Sequence, residues 1–169
     1  MDDYEHLIEP HIPRLRRYAR ALTGERVVAD DLVQDTLERA WNKFHLWRRG
    51  SDLRAWLFTI MHNVYVNQLR SRAAHPVVSF EEGEFQPPEH SVESDRLEIR
   101  DLDIALRKLP DEQREVLLLI GLEQLSYEET ARALGIPIGT VMSRLSRARE
   151  RLRRLMGGSI DAATLRVVK

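Results

Sequence analysis

The chain is predicted to be all-α, built as two small helical units joined by an acidic tether. Three observations carry that expectation. Apolar residues recur at three- and four-residue spacing in two blocks, and the period-two alternation of half-buried strands is nearly absent. Between the blocks, residues 73–95 read AAHPVVSFEEGEFQPPEHSVESD. That stretch holds Pro76, Gly83, Pro87 and Pro88, and carries Glu81, Glu82, Glu84, Glu89, Glu93 and Asp95 without one Lys or Arg. Such a composition is extended and self-repelling, and cannot bury enough apolar surface to fold.

The first block covers residues 1–72. Leu7, Leu15, Tyr18, Ala19 and Leu22 line its first helix, whose regular part follows Pro10 and Pro13 and stops near Thr23-Gly24. Residues 30–44 form the next helix, with Val33, Leu37, Ala40, Trp41 and Phe44 on one face and Asp31, Gln34, Asp35 and Glu38 on the other. Trp41 is read as core. A turn over residues 47–52 leads into a long helix, about residues 53–72, whose core stripe is Leu53, Leu57, Ile60 and Val64. Asn63, Asn67 and Arg70 lie together along its edge.

In the second block, residues 96–156, Leu97, Leu102, Ala105 and Leu109 mark a helix that stops at Pro110, and residues 111–121 form another. Residues 125–152, LSYEETARALGIPIGTVMSRLSRARERL, then spell a helix-turn-helix. Ser126 with Glu129 makes a capping box. Small Ala131 and Ala133 permit close helix approach, Gly135 supplies a left-handed stop, and Pro137 suits the first turn of the second helix. Val141, Leu145, Ala148 and Leu152 form that helix's buried stripe, leaving Gly139, Ser143, Ser146 and Arg147 facing away. Arg144 and Arg151 sit on one flank and Arg149 on the other. Small polar groups and one long donor suit base edges, and flanking guanidiniums suit phosphates. A solvated surface helix is the plainer reading, but Glu150 is the only acid among Arg144, Arg147, Arg149, Arg151, Arg153 and Arg154. Residues 157–169 open on Gly157-Gly158 and form a tail whose structure the pattern leaves open.

Composition narrows the function. Formal net charge is −1, so affinity for nucleic acid has to come from local charge separation. There is no cysteine, which excludes disulfides and thiolate chemistry and agrees with a cytoplasmic location. The N-terminal residues lack the pattern of a signal peptide, and the aliphatic run at residues 116–120 is far too short to span a bilayer. His6, His11, His45, His62, His75 and His90 show no metal-ligand spacing, and no phosphate loop or nucleophile elbow occurs. No catalytic residue, metal or cofactor is expected.

Three stretches in order, ADDLVQDTLERAWNKF (29–44), LRAWLFTIMHNVYVNQLRSR (53–72) and LPDEQREVLLLIGLEQLSYEETARALGIPIGTVMSRLSRARERLR (109–153), resemble bacterial RNA polymerase sigma factors of the extracytoplasmic-function group. The resemblance covers nearly the whole chain except the last dozen residues. It implies a sigma-2-like unit (1–72), an acidic linker (73–95), a sigma-4-like unit (96–156) and a C-terminal tail. It implies a factor that binds core RNA polymerase at the β′ coiled coil and β flap, directs it to promoter DNA, helps melt that DNA and answers to an anti-sigma factor.

Carried over by residue, the resemblance makes Asp31, Gln34, Asp35 and Glu38 the docking face for the β′ coiled coil; a merely solvated acidic face stays open. It makes the turn holding Trp47, Arg48, Arg49 and Ser51 the pocket for a base flipped from the minus-ten element. Asn63, Asn67 and Arg70 then meet the melted strand, against a plain polar helix edge as the alternative. The acid that family turns often place after a glycine comes later here, at Asp52. Gly139, Thr140, Met142, Ser143, Ser146 and Arg147 match positions facing the minus-thirty-five element, with Arg144 and Arg149 on phosphates. Met142 departs from the pattern, where a basic residue is common; it loses a contact or replaces it with one to a thymine methyl. The linker either mimics nucleic acid in a basic channel or is a solubilising spacer. Two rivals fit less well. A dimeric helix-turn-helix activator has no need of residues 30–72, and a decoy that binds only an anti-sigma protein has no need of the arginine helix.

Overall fold

The computed structural model describes residues 2–74 and 93–157. Most of the acidic tether, and the tail beyond Gly157, lie outside the described residues. The elements are α1 (Asp2–Ile8), a 3-10 turn (Glu9–His11), α2 (Ile12–Thr23), α3 (Arg26–Lys43), a second 3-10 turn (Phe44–Leu46), α4 (Leu53–Ala74), α5 (Glu93–Arg107), α6 (Asp111–Gly121), α7 (Tyr127–Leu134) and α8 (Ile138–Leu155). No strand occurs among the described residues. The fold is all-α, as expected, and α3 starts one turn earlier than the sequence pattern suggested.

Pro10 sits in the 3-10 turn and Pro13 in the first turn of α2, where missing N–H groups cost little. The break makes α1 a separate helix whose register does not continue that of α2. Leu7, expected in the core, is consequently exposed, and Ile8 is buried in its place. Trp41, also expected in the core, is 40% exposed. It lies beyond the buried stripe of α3, on Val33 and Ala40, and its ring meets Tyr4 edge-on, with centroids 6.4 Å apart.

Helices α2, α3 and α4 form one bundle around Leu15, Tyr18, Leu22, Leu32, Leu57, Phe58 and Met61, each at most 2% exposed. Tyr18 and Phe58 pack edge-to-face at 5.0 Å. The second half is organised by α6. Every residue from Arg114 to Gly121 is buried, so the helix is enclosed on all sides. Helix α8 covers one side of it and α2 another, while α7 packs against α4. The two halves thus touch directly and share a continuous core. Each fully buried aliphatic side chain, such as Val116 or Leu119, contributes about 1.5–3 kcal/mol.

Two arginines fasten the halves at the C-terminus of α2. Gly24 ends that helix in the left-handed conformation, φ 74°. A Cβ there would lie 2.6 Å from the Arg107 side chain, so both the backbone angle and the space require glycine. Arg107 passes over it to donate to the carbonyls of Ala21 and Leu22. These are carbonyls of the last helical turn, which a cation satisfies and whose dipole it complements. Burial lowers the Arg107 pKa, Asp103 opposes that shift and Arg114 adds to it. Arg114 is itself 8% exposed and uses all its donors. Nε reaches Leu106 O at 2.7 Å; Nη1 reaches Leu22 O at 3.3 Å and Asp111 Oδ1 at 3.0 Å; Nη2 reaches Arg107 O at 3.1 Å and Leu109 O at 2.7 Å. Arg114→Ala strands four carbonyls in a dry site and is predicted to cost about 3–5 kcal/mol in urea unfolding. Arg114→Lys should recover little of this, because an ammonium cannot span those acceptors.

Candidate functional site

The sequence-predicted residues fall on three surfaces. On α3, Asp31, Gln34, Asp35 and Glu38 are all exposed and lie on one helical face. Asp35 Oδ2 accepts from Gln68 Nε2 of α4 at 3.0 Å, which orients the carboxylate. Asp31, Asp35, Gln68, Ser71 and Arg72 line a shallow cleft where the two helices meet. Exposed Trp41, one turn after Glu38, extends this acidic face with a flat apolar ring.

The second surface is the turn before α4. Gly50 has φ 91°, and Ser51 closes the turn: its N–H and Oγ–H both donate to Arg48 O, at 3.1 and 2.5 Å. Asp52 then caps α4, Oδ1 accepting from Arg54 N at 3.0 Å and from Ala55 N at 3.4 Å. The late acid of the sequence is thereby explained as a helix cap. Its pKa lies below the usual carboxylate value: burial raises it, but a hydrogen bond with Glu129, backbone donors and Arg54 outweigh that. Trp47 is half-buried against Phe44, with centroids 5.3 Å apart, and its indole Nε1 is buried without a hydrogen-bond partner. Arg48, Arg49 and Ser51 are exposed, as are Asn63, Asn67 and Arg70 along α4.

The third surface is α8. The capping box forms as expected, Ser126 Oγ accepting from Glu129 N at 3.0 Å while Glu129 Oε1 accepts from Ser126 N at 2.9 Å. Gly135 is left-handed, φ 65°, and Ile136 N donates to Ala131 O at 3.0 Å. Pro137 stands at the N-cap of α8, one residue ahead of the first turn where the sequence placed it. Val141, Leu145, Ala148 and Leu152 are buried, and Gly139, Met142, Ser143, Ser146 and Arg147 are exposed. Thr140, Arg144 and Arg149 are half-buried. Internal pairing takes up more of the arginines than Glu150 alone suggested. Glu150 engages Arg153 at 3.3 Å and Arg154 at 3.4 Å, and Arg144 reaches Glu112 of α6 at 3.7 Å. Arg147 has no ionic partner among the described residues.

Between these surfaces lies a polar seam that the sequence did not reveal. Buried Glu123, in the loop after α6, faces Arg17 at 3.1 Å and Arg14 at 3.6 Å, both on α2. Burial raises its pKa, and the two arginines oppose the rise. Arg54 of α4 donates to Glu123 O at 3.2 Å. His62 Nδ1 lies 2.6 Å from Glu115 Oε1, and the Tyr65 hydroxyl donates to Asp111 at 2.9 Å. The available signal was the all-apolar run of α6, which no single neighbouring helix could cover.

Comparison with known proteins accounts for this arrangement. Residues 8–62 match the family model for the sigma2 domain of PhyR, and residues 99–152 match that for sigma-70 region 4. The ECF RNA polymerase sigma factor EcfG of Rhodopseudomonas palustris is 40% identical over 86% of this chain and 80% of its own length. The chain belongs to the extracytoplasmic-function sigma factors. Another relative, the RNA polymerase sigma factor YlaC of Bacillus subtilis, is 31% identical over 92% of each protein. Among solved structures, the sigma factor RpoE of Bartonella quintana, in complex with the anti-sigma factor NepR, superposes with a TM-score of 0.83 at 37% identity, covering 95% of this chain and all of that one. CnrH, in complex with the cytosolic domain of CnrY, gives 0.67 at 28% identity, over 92% and 88%. The anti-anti-sigma factor PhyR of Bartonella quintana shares the fold, with a TM-score of 0.60 at 20% identity over 89% of this chain and 50% of its own. This sigma factor therefore has a role in transcription initiation. Among the described residues no helix is long and apolar enough to cross a membrane, and no cluster of His, Cys, Asp or Glu could hold a metal.

Proposed function

We propose that this sigma factor binds core RNA polymerase, directs it to promoters through minus-ten and minus-thirty-five elements, and promotes melting. The observation that carries the reading is the placement of an exposed acidic face on α3 and an exposed basic face on α8, on opposite halves of the fold. We assign residues 1–72 to polymerase docking and minus-ten recognition, 73–95 to the linker, 96–156 to minus-thirty-five recognition and 157–169 to a tail. Asp31, Gln34, Asp35 and Glu38, joined by Trp41, meet the β′ coiled coil, whose chemistry must be basic with an apolar edge; the second half meets the β flap. Trp47, Arg48, Arg49, Ser51, Asn63, Asn67 and Arg70 handle the melted strand. In this role the unpartnered Trp47 indole N–H is a donor held ready for nucleic acid. An anti-sigma protein is a further partner, by likeness to RpoE with NepR and CnrH with CnrY. A decoy role like that of an anti-anti-sigma factor is less well supported, because the unpaired Arg147 serves no purpose in it.

This reading requires the two halves to part. Elements about 25 base pairs apart are separated by ~85 Å of duplex. A compact chain of 169 residues has a radius of gyration near 15–16 Å and a diameter of about 40 Å. The closed form cannot touch both elements, so the seam at Glu123, Glu115 and Asp111 opens when promoter complexes form.

Three tests follow from these assignments. Asp35→Arg with Glu38→Arg should abolish most core binding in a pull-down titration while circular dichroism stays unchanged, since like charges would then be juxtaposed; retained affinity would remove α3 from the docking surface. Arg14→Glu with Arg17→Glu sets two acids against Glu123 and should enlarge the radius of gyration in small-angle X-ray scattering, whereas an unchanged value would mean the seam is not held by these charges. Arg147→Ala should relax base preference in the minus-thirty-five element, at about 1–3 kcal/mol on the preferred promoter. Arg149→Ala should weaken all promoters alike and flatten the salt dependence of holoenzyme transcription.

A further inference from the structure

The leading turn of α8 carries two exposed apolar side chains. Ile138 is 44% exposed and Met142 is 52% exposed. They stand four residues apart, so they lie on one side of the helix, about 6 Å from each other along its axis. The buried stripe of Val141, Leu145, Ala148 and Leu152 belongs to a different face, and α6 already covers it. Gly139 lies between the two, and a Cβ added there would meet nothing within 4 Å. The surface beside them is open, and its backbone can come close to a partner. Arg149, seven residues after Met142, continues the same flank with a cation.

Single exposed apolar residues are ordinary, but a pair stacked on the leading turn of a recognition helix, in line with a basic flank, has a matching ligand. The floor of the major groove presents one prominent apolar group, the 5-methyl of thymine. We infer that Ile138 and Met142 read thymine methyl groups in the minus-thirty-five element, about two base pairs apart, with Arg149 holding the adjoining phosphate. A spacing of 6 Å along the helix corresponds to roughly two steps of 3.4 Å along the duplex. The inference rests on the proposed docking of α8 in that element. It adds Ile138 to the residues that set specificity and gives Met142 a defined ligand.

The test uses holoenzyme assembled from the full chain and core polymerase. Minus-thirty-five elements are selected from a randomised duplex library. Each thymidine of the selected element is then replaced, one at a time, by deoxyuridine, which removes the 5-methyl and no hydrogen-bonding group. At one or two positions the replacement should weaken binding about fourfold, the value of one buried methyl group. Ile138→Ala and Met142→Ala should each erase the sensitivity at one position, so that variant and wild type converge on the deoxyuridine duplex. Equal binding of thymidine and deoxyuridine duplexes at every position would overturn the inference and leave promoter recognition standing, as would sensitivity that persists in both variants. Selection of no element by the holoenzyme would overturn the promoter reading and this inference together.

Discussion

The fold depends on how helix α6 is enclosed. Its residues from Arg114 to Gly121 have no solvent face, so neither half of the chain is a finished core without it. The first half contributes α2, whose C-terminal carbonyls need donors. The second half contributes Arg107 and Arg114, whose guanidiniums need acceptors when buried. Each side answers the other's deficit at Ala21 and Leu22. Gly24 makes the approach possible by lacking a side chain where Arg107 crosses. Guanidinium chemistry suits this task, and the chain uses it almost exclusively: Lys43, Lys108 and Lys169 are the only lysines among its 26 basic residues. A guanidinium can satisfy several carbonyls in fixed directions, which a compact ammonium cannot.

The parts legible in the sequence are those governed by local rules. The capping box at Ser126, the glycine stops at Gly24 and Gly135, and the buried stripe of α8 each follow from a few adjacent residues and one helical period. The errors share a different cause. Leu7 was assigned by extending one helical register through two prolines, and the 3-10 turn resets that register. Trp41 was placed in the core because tryptophan is large and apolar, but its helix had already filled its buried stripe with Val33 and Ala40. The seam between halves was illegible because its partners are far apart in sequence. Arg17 and Glu123 are 106 positions apart, and nothing in either local pattern announces the other. Glu123 reads as a surface acid in a polar loop, yet it is 1% exposed.

The same long-range seam has a bearing on function. Contacts made of ion pairs and hydrogen bonds, such as Arg17 with Glu123 or Tyr65 with Asp111, exchange readily for water when a surface opens. Those at the edge of the seam are partly solvated already; the Arg17 side chain is 55% exposed. The apolar face of α6 toward α2 resists separation more strongly, because opening exposes it to water. A closed form held by both kinds of contact is therefore separable only by a partner that offers replacement surface. Core polymerase is large enough to do so, docking one half at α3 and the other at its own site.

Charge organisation completes the argument. With a formal net charge of −1, the molecule as a whole neither attracts nor repels a duplex strongly. What matters is where the charges stand. Acids on α3 face outward with no arginine among Asp31, Asp35 and Glu38 on that stripe. Basic groups on α8 are partly restrained, Arg144 by Glu112 and Arg153 and Arg154 by Glu150. Those exposed pairs are weak and easily given up to phosphates. Arg147, unpaired and projecting from the outer face, needs no such exchange. A factor arranged this way has modest affinity for DNA by itself. It gains strength once the polymerase has bound its acidic face, because the free promoter then meets only the basic one.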